Sequence, residues 1–332
     1  TVGPHWDGNQ VWLITAGGAI FAAWPPVYAA AFSGFYMAML LVLFALFFRP
    51  VGFDYRSKIN DARWRSTWDW ALFGGSLVPA LIFGVAFGNL LQGVPFRLDE
   101  FLRPYYQGSL LGALLPLLNP FALLAGLVSV AMLVQHGGLW LQLRAEGAVA
   151  ERARRAVPLA AAVAMGGFAL AGLWVASGID GFTILTQPDH GLRPDPLAKT
   201  VAMERGAWLS IYHTVPAATA APVLGFAGLG LAAALSWLRR PGLGFVSSAL
   251  GLAGIIATAG LSRFPFILPS TLDPRSSLTV WDATSSHLTL TVMFWAAAIF
   301  VPIILGYTVW CYARMWGKVG TDQIRANSHS AY

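Results

Sequence analysis

Long stretches of apolar residues, interrupted by short polar and charged connections, run through the chain from one end to the other. Most of them approach the roughly 20 residues that a helix needs to cross the hydrocarbon core of a bilayer. The runs are continuous and do not alternate with polar residues, which favours helices over the strands of a membrane barrel. Eight spans are predicted, at residues 11–24, 27–48, 71–91, 121–143, 157–177, 208–237, 245–261 and 288–310, with the first two joined at Pro25-Pro26.

This pattern predicts an all-α fold, a polytopic transmembrane helix bundle. The longest connections, at 92–120 and 178–206, are too short to form a separate domain. We therefore expect residues 1–332 to form a single integral-membrane domain. The glycine pairs inside the spans are expected at close contacts between helices; they are Gly17-Gly18, Gly74-Gly75 and Gly166-Gly167.

Lysine and arginine are distributed unevenly between the two sets of connections. The segments 49–65, 144–155, 239–240 and 314–325 carry 14 of the 21 basic residues, and the alternate connections carry the other 7. Because basic residues accumulate on the cytoplasmic side of a membrane protein, the C-terminus and the start of the first span are predicted to be cytoplasmic. Asp7 is then expected near the cytoplasmic surface.

Composition supports a membrane protein and argues against other classes. Hydrophobic residues make up 57% of the chain and charged residues 11%, against about 25% charged in soluble domains. The net charge of +6 does not indicate nucleic-acid binding, because the basic residues form short clusters beside apolar spans. Cys311 is the only cysteine, which excludes an internal disulfide and a cysteine-based metal cluster.

The segment PHWDGNQVW at residues 4–12 carries ionisable groups directly into the first predicted span. Such groups are costly in a membrane unless they pair, face water or move protons. Asp7 and His5 together can relay protons, because a carboxyl and an imidazole both titrate in a workable range when desolvated. Alternatively, Asp7 is the N-cap of a helix with Asn9 and Gln10 in its first turn. The residues leave both interpretations open.

Other polar residues near span ends are interpreted as structural. Asp69 is expected to cap the third span and to complement its helix dipole. A cap for the last span is expected from Asp282, Ser285 or Ser286.

The six histidines do not form a recognisable haem site. They are His5, His136, His190, His213, His287 and His329, and no two have a spacing that suggests bis-histidine ligation. The sequence also lacks CxxCH, Walker and HExxH motifs. No catalytic, metal-binding or cofactor-binding residue is therefore predicted in this chain, and His136 and His213 are expected to be structural.

Short motifs spread over essentially the whole chain are those of a known family. They are PHWDGNQVWLITAGG at 4–18, FSGFY at 32–36, FFRPVGFDYRSK at 47–58, WDW at 68–70, FGNLLQGVPF at 87–96, NPFALLAG at 119–126, GIDGF at 178–182, FPFILPS at 264–270, LTVWDATSS at 278–286 and the tail HSAY at 329–332. In all of them the chain resembles subunit II of the cytochrome bd ubiquinol oxidases.

The resemblance implies a specific function. Such oxidases take electrons from quinol and reduce dioxygen to water with protons drawn from the cytoplasm. Haem b and haem d belong to subunit I, so this chain is expected to be haem-free and to scaffold that subunit. Asp7 matches an acidic residue of the proton path, with His5 beside it, and Trp12 matches a position near the oxygen entry route. In some relatives this subunit also holds a structural quinone in a hydrophobic cleft.

The resemblance also implies partners and a location. The expected partners are cytochrome bd subunit I, small single-helix accessory subunits and membrane lipids, with quinol as the substrate of the complex. The expected location is the bacterial inner membrane. In such relatives another membrane helix precedes the motif at 4–18, so a ninth, N-terminal span is expected to be missing from this chain.

Two other functions are weighed beside the oxidase subunit. The first is a secondary transporter built on Gly/Pro-interrupted helices and a buried carboxylate, although neither inverted repeats nor a second midplane charge is found. The second is a purely structural subunit, in which Asp7 serves only as a helix cap.

Overall fold

The computed structural model describes residues 1–3, 5–106, 110–186 and 195–320. Its helices are α1 (Trp6–Ala23), α2 (Pro25–Gly34), α3 (Tyr36–Tyr55), α4 (Ala62–Gln92), α5 (Leu110–Leu117), α6 (Pro120–Arg144), α7 (Gly147–Gly178), α8 (Ile211–Thr214), α9 (Ala220–Trp237), α10 (Pro241–Arg263) and α11 (His287–Arg314). Its strands are β1 (Phe96–Leu98), β2 (Pro104–Tyr106), β3 (Asp180–Thr186), β4 (Thr200–Arg205), β5 (Phe266–Leu268) and β6 (Leu278–Thr279). Pro4, His190, Arg193, Arg325 and the tail motif at 329–332 lie outside the described residues.

Seven helices of the described chain are long and apolar enough to cross a membrane, namely α3, α4, α6, α7, α9 with the turn before it, α10 and α11. The polytopic helical bundle is therefore confirmed. Helix α1 contains the predicted span 11–24 except for its last residue, Trp24, but is not among the seven, because Asp7, Asn9 and Gln10 at its start lower its mean hydropathy. The count of eight spans stays a prediction.

The predicted second span at 27–48 is wrong in its bounds. Helix α2 ends at Gly34, and α3 begins at Tyr36 and continues to Tyr55. The hydroxyl of Tyr106 donates a hydrogen bond to the carbonyl oxygen of Ala30 at 2.5 Å, and its ring occupies the space of a side chain at Gly34. This contact comes from strand β2, so the local apolar pattern does not show it.

The predicted sixth span at 208–237 begins too early, because the spanning segment starts at Pro216. The preceding residues form the 3₁₀ turn Ala207–Leu209 and the single-turn helix α8. The indole of Trp208 is buried and donates to the carbonyl oxygen of Leu91 at 2.8 Å. The residues 207–214, which the apolar pattern assigns to a span, therefore lie in the connection that covers the helix ends, with Trp208 in its core. His213 lies in α8, before the span.

The fold is not purely α-helical, because the strands pair into three two-stranded antiparallel sheets. Arg97 lies opposite Tyr105 in the first sheet, and Gly181 lies opposite Glu204 in the second. All three sheets lie in connections at one end of the bundle, and we call the described residues of these connections, 93–106, 179–186, 195–215 and 264–286, the β cap. The opposite end, where the connections rich in lysine and arginine lie, is called the basic end.

Close helix contacts are made at glycines, as expected, but often at other glycines than the predicted pairs. A Cβ added to Gly254 of α10 would lie 2.4 Å from the backbone nitrogen of Gly225 in α9. Of the predicted pairs, Gly75 and Gly167 contact neighbouring helices, at Ala45 and Val128. An added Cβ would meet no atom within 4 Å at the remaining members, Gly17, Gly18, Gly74 and Gly166.

Replacing Gly254 by alanine is expected to destabilise the bundle by about 1–3 kcal/mol, because the new methyl group overpacks the α9–α10 contact. The matched control is Gly260→Ala in the same helix, where an added Cβ meets no atom within 4 Å. The thermal midpoint of each purified variant gives the comparison. Equal midpoints for the two variants would show that the close contact does not limit stability.

Helices α1 and α11 form the periphery of the molecule. Ala23 is the only buried residue of α1, and α11 has no buried residue. The main neighbour of α11 is α1. Two long helices therefore present unoccupied apolar surface beside a well-packed bundle.

Candidate functional site

Helix α1 begins at the basic end with His5 as its N-cap residue and Asp7 in its first turn. The side chain of His5 makes no capping hydrogen bond, and the carboxylate of Asp7 is exposed. The interpretation of Asp7 as the N-cap is therefore wrong. Its negative charge still interacts favourably with the positive end of the helix dipole, and its side chain is open to water.

His5 is buried between helices α6 and α11, with 8% of its surface exposed. Its ring stacks on Tyr312 of α11 at a centroid distance of 3.9 Å, and the ring of Trp140 of α6 lies edge-on at 6.4 Å. Burial lowers the pKa of His5, and the positive charge of Arg144 lowers it further. The imidazole is therefore mainly neutral at pH 7.

Side chains from other helices hold the start of α1 in place. The amide nitrogen of Asn9 donates to the hydroxyl of Tyr312 at 2.8 Å. The ring of Trp6 packs on Phe53 of α3 at 5.1 Å. His5 and Asn9, two residues before and two residues after Asp7, thus both contact Tyr312. These contacts hold the backbone of Asp7 in place, although its side chain is exposed.

Arg144, at the end of α6, is a buried cation that the sequence did not single out. It is 4% exposed, its Nη2 donates to the carbonyl oxygen of Met315 at 2.6 Å, and its guanidinium carbon lies 4.9 Å from the ring of Trp316. A signal was available, since His136, Trp140 and Arg144 are four residues apart and share one face of α6.

Trp12 lies on α1 with 38% of its surface exposed. It follows Asp7 by five residues, which places it about 7.5 Å further along the helix axis and on a different face. Asp7 and His5 thus both lie at the start of α1, the first exposed and the second buried, and Trp12 lies away from them.

Asp69 does not cap the third predicted span. The N-cap of α4 is Asp61, which accepts a hydrogen bond from the backbone nitrogen of Arg63 at 2.7 Å. Asp69 lies two turns inside α4 and forms a bidentate ion pair with Arg56, with distances of 2.5 and 3.1 Å. That pair joins the end of α3 to α4, so the role of Asp69 is structural but different from the predicted one.

Of the three residues predicted to cap the last span, Ser286 is confirmed. Ser286 is the N-cap of α11 and accepts from the backbone nitrogen of Thr289 at 3.2 Å. Asp282 has a different role, because its carboxylate pairs with the ammonium group of Lys199 at 2.9 Å. Both partners are buried in the β cap.

The described histidines lie in separate surroundings. His136 lies 2.6 Å from the hydroxyl of Ser248 and stacks on Phe245, His5 stacks on Tyr312, and His213 and His287 are exposed in separate places. The described part of the chain contains no group of three or more His, Cys, Asp or Glu side chains that could hold a metal ion. His190 and His329 lie outside this part.

A cavity of about 700 Å³ lies between helices α4, α6, α7, α9 and α10. Its wall is almost entirely apolar and includes Phe87, Phe168 and Ile255. Polar groups are concentrated near the β cap, where the hydroxyls of Tyr212 and Ser262 lie 3.0 Å apart. The cavity suits an elongated apolar molecule with a small polar group at one end.

Comparison with known proteins gives consistent results. A family model described as cytochrome bd terminal oxidase subunit II matches residues 1–315. Over all 332 residues, the chain is 55% identical to the cytochrome bd-I ubiquinol oxidase subunit 2 of Escherichia coli (strain K12) and covers 86% of that protein. It is 33% identical to the cytochrome bd ubiquinol oxidase subunit 2 of Bacillus subtilis (strain 168), over 94% of this chain and 81% of the relative.

A solved structure shares the fold. The bd oxidase from Geobacillus thermodenitrificans matches with a TM-score of 0.63 and 15% sequence identity, over 96% of this chain and 85% of the matched chain. At that identity the likeness extends to the arrangement of the helices alone.

Proposed function

The chain belongs to the cytochrome bd terminal oxidase subunit II family, and we propose that it supports a haem-bearing subunit I and gives protons access to it. As a member of this family it is a multi-pass inner-membrane subunit of a quinol oxidase that reduces oxygen. The observation that carries the proposal is the placement of Asp7, exposed in the first turn of α1 beside the buried His5.

The proton role follows from the chemistry of these two side chains. Asp7 is exposed at the basic end, which the distribution of lysine and arginine puts on the cytoplasmic side with the C-terminus. It can load protons from water there. His5 is neutral at pH 7 and one turn or less away along the chain, so it can accept a proton from the same region. Carboxylates and imidazoles in membrane proteins commonly serve as such relays.

The scaffold role follows from the surface of α1 and α11. Most of their residues are exposed, including Trp12 on α1 and Phe294 and Trp295 on α11. A partner subunit that packs along one side of this helix pair would cover part of this surface and leave the first turn of α1, with Asp7, at the edge of the contact and open to water. Helix α1 would then act as the eighth span, since its 18 helical residues extend about 27 Å.

The haems are proposed to belong to subunit I. When bound there, they supply the electron transfer and the binding of oxygen. In this chain, His136 is engaged by Ser248 and His5 by Tyr312, and the cavity wall includes neither a histidine nor a cysteine. These contacts support a haem-free subunit II.

The apolar cavity is proposed to hold a structural quinone. Its volume and its apolar wall suit an isoprenoid tail, and the hydroxyls of Tyr212 and Ser262 can donate hydrogen bonds to a quinone carbonyl. Organic extraction of the purified complex should then yield more than one quinone per complex when the oxidising site is also occupied. A yield of none after that site is emptied would contradict a structural quinone.

Trp12 is proposed to line the oxygen route, because its partly exposed ring lies on α1 beside the surface offered to subunit I. Trp12→Ala is expected to change the KM for oxygen by several-fold while kcat changes less. Oxygen-electrode measurements over a range of oxygen concentrations give both constants. A change confined to kcat would remove Trp12 from the route.

A ninth, N-terminal span and the small single-helix accessory subunits stay predictions. The Escherichia coli relative is longer than this chain, since 332 matched residues cover 86% of it. The additional span is proposed to pack beside α1 and α11 on the side that subunit I leaves open.

Purification through a tag on this chain tests the function as a whole. The complex is expected to carry haem b and haem d absorption bands and to consume oxygen when quinol is added. A colourless chain that purifies alone and lacks quinol oxidase activity would instead favour the transporter. The spectrum separates the two without any mutation.

A further inference from the structure

Arg144 is a buried positive charge without a described negative partner. In the described part of the chain, Arg144 forms no ion pair within 4.0 Å. Its Nε and Nη1 atoms are buried and have no hydrogen-bond partner there. A buried unpaired guanidinium is strongly unfavourable. The stacking of Trp140 and Trp316 on Arg144, at 5.5 and 4.9 Å, compensates only part of this cost.

Two further polar atoms beside Arg144 are also buried and unpaired. They are Nε1 of Trp140 and Nε2 of His5, and the rings of these two residues are 6.4 Å apart. We call His5, Trp140, Arg144 and Trp316 the Arg144 cluster. The guanidinium and indole groups can only donate hydrogen bonds, and the imidazole donates from Nε2 in one of its tautomers. Several unpaired donors around one positive charge are complementary to an anion with several oxygen atoms.

The position of the cluster narrows the class of anion. Arg144 ends α6 and Trp316 follows the end of α11, so the cluster lies where two spanning helices leave the membrane at the basic end. Lipid phosphates lie at this depth, together with tryptophan and arginine side chains. Trp316 covers the guanidinium and is itself 58% exposed, so a rotation of its indole would open the site.

We propose that the Arg144 cluster binds the phosphate of an anionic phospholipid. The phosphate oxygens accept from Nε and Nη1 of Arg144 and from the indole nitrogen of Trp140. The acyl chains lie along α11, which has no buried residue and offers a continuous apolar surface up to the cluster. Nη2 stays on the carbonyl oxygen of Met315, which leaves one edge of the guanidinium for the lipid.

The test uses the purified oxidase complex in a neutral detergent and compares three additions: phosphatidylglycerol, phosphatidylcholine with the same acyl chains, and inorganic phosphate. Phosphatidylglycerol is expected to raise the thermal midpoint by several degrees more than phosphatidylcholine. Arg144→Gln is expected to abolish this difference, whereas Arg155→Gln, an exposed arginine at the same end of the bundle, should keep it. Native mass spectrometry of the unmodified complex should show a retained phosphatidylglycerol.

Three outcomes would overturn the proposal. Inorganic phosphate could reproduce the whole shift, which would make the site one for a free anion. The two lipids could stabilise equally, or Arg144→Gln could keep the preference, and the guanidinium would then be neutralised by a protein carboxylate. If Arg144→Gln does not assemble, Trp140→Phe provides the same test, because it keeps the ring and removes one of the unpaired donors.

Discussion

Asp7→Asn is expected to slow oxygen reduction by at least about tenfold while the complex keeps its haem content. The amide has nearly the same shape as the carboxylate but cannot take up and release a proton. Because Asp7 is exposed and lies in the first turn of α1, the folded structure loses only the favourable interaction with the helix dipole, about 0.3–1 kcal/mol. Oxygen uptake per haem d, measured with saturating quinol, gives the effect.

Asp54→Asn is the matched control for Asp7. Asp54 is also an exposed carboxylate at the basic end, in the last turn of α3, and its replacement should leave turnover close to that of the unmodified complex. The expected loss in Asp7→Asn concerns kcat, with little change in the KM for quinol. Normal turnover in Asp7→Asn with intact haem spectra would reduce Asp7 to a structural residue of α1.

Asp282→Asn is expected to destabilise the protein by about 3–5 kcal/mol, because it removes the carboxylate that pairs directly with the buried ammonium group of Lys199 and leaves only the more distant charges of Asp195 and Asp273. The exposed fractions of the two side chains are 1% for Lys199 and 9% for Asp282. Their ion pair joins the segment before β4 to the segment before α11. The thermal midpoint of the purified complex is expected to fall by roughly 5 °C or more.

The pair between Arg205 and Asp180 provides the control for this second experiment. Its partners are 72% and 52% exposed and 3.8 Å apart, so Asp180→Asn should cost less than about 1 kcal/mol. Similar losses for the two variants would show that burial of the Lys199 pair does not matter. The double variant Lys199→Met, Asp282→Leu should recover much of the stability, because it removes both buried charges.

The pH dependence of Asp282→Asn has a definite sign. Burial lowers the pKa of Lys199 below its ordinary value of 10.5, and the carboxylate of Asp282 opposes this shift. Without the carboxylate the pKa falls further. Between the folded-state pKa and 10.5, the unfolded chain binds more protons than the folded one, so stability rises with pH. The difference in free energy of unfolding between Asp282→Asn and the unmodified protein should therefore become smaller as the pH is raised toward 10.5.

The sequence predicted spans and local motifs where one residue pattern is sufficient. Segments 71–91, 121–143 and 288–310 lie inside α4, α6 and α11, because about 20 consecutive apolar residues have one stable form in a bilayer. Ser286 was among the expected caps for the same local reason. The predicted bounds of the second and sixth spans were wrong, because contacts with distant segments decide them. Tyr106 contacts the chain where α2 ends, and Trp208 is held in the β cap by its hydrogen bond to Leu91.

The candidate site was likewise predicted from the sequence only in part. The ionisable pair Asp7 and His5 was visible as a break in an otherwise apolar pattern. Its surroundings were not, since Tyr312 is 307 residues away from His5 along the chain and reaches it only because α11 returns beside α1. Arg144 looked like one more basic residue at a span end, and only the structure shows that it is buried with no negative partner among the described residues.

By itself, the sequence determined that this protein is a helical membrane bundle of the cytochrome bd subunit II family, because hydrophobicity and short motifs are properties of neighbouring residues. Tertiary structure alone decided which polar groups meet: Asp282 with Lys199, Asp69 with Arg56 and His5 with Tyr312. The physical reason is that an apolar helix has no preferred neighbour in lipid until close packing at residues such as Gly254 and hydrogen bonds between distant segments select one.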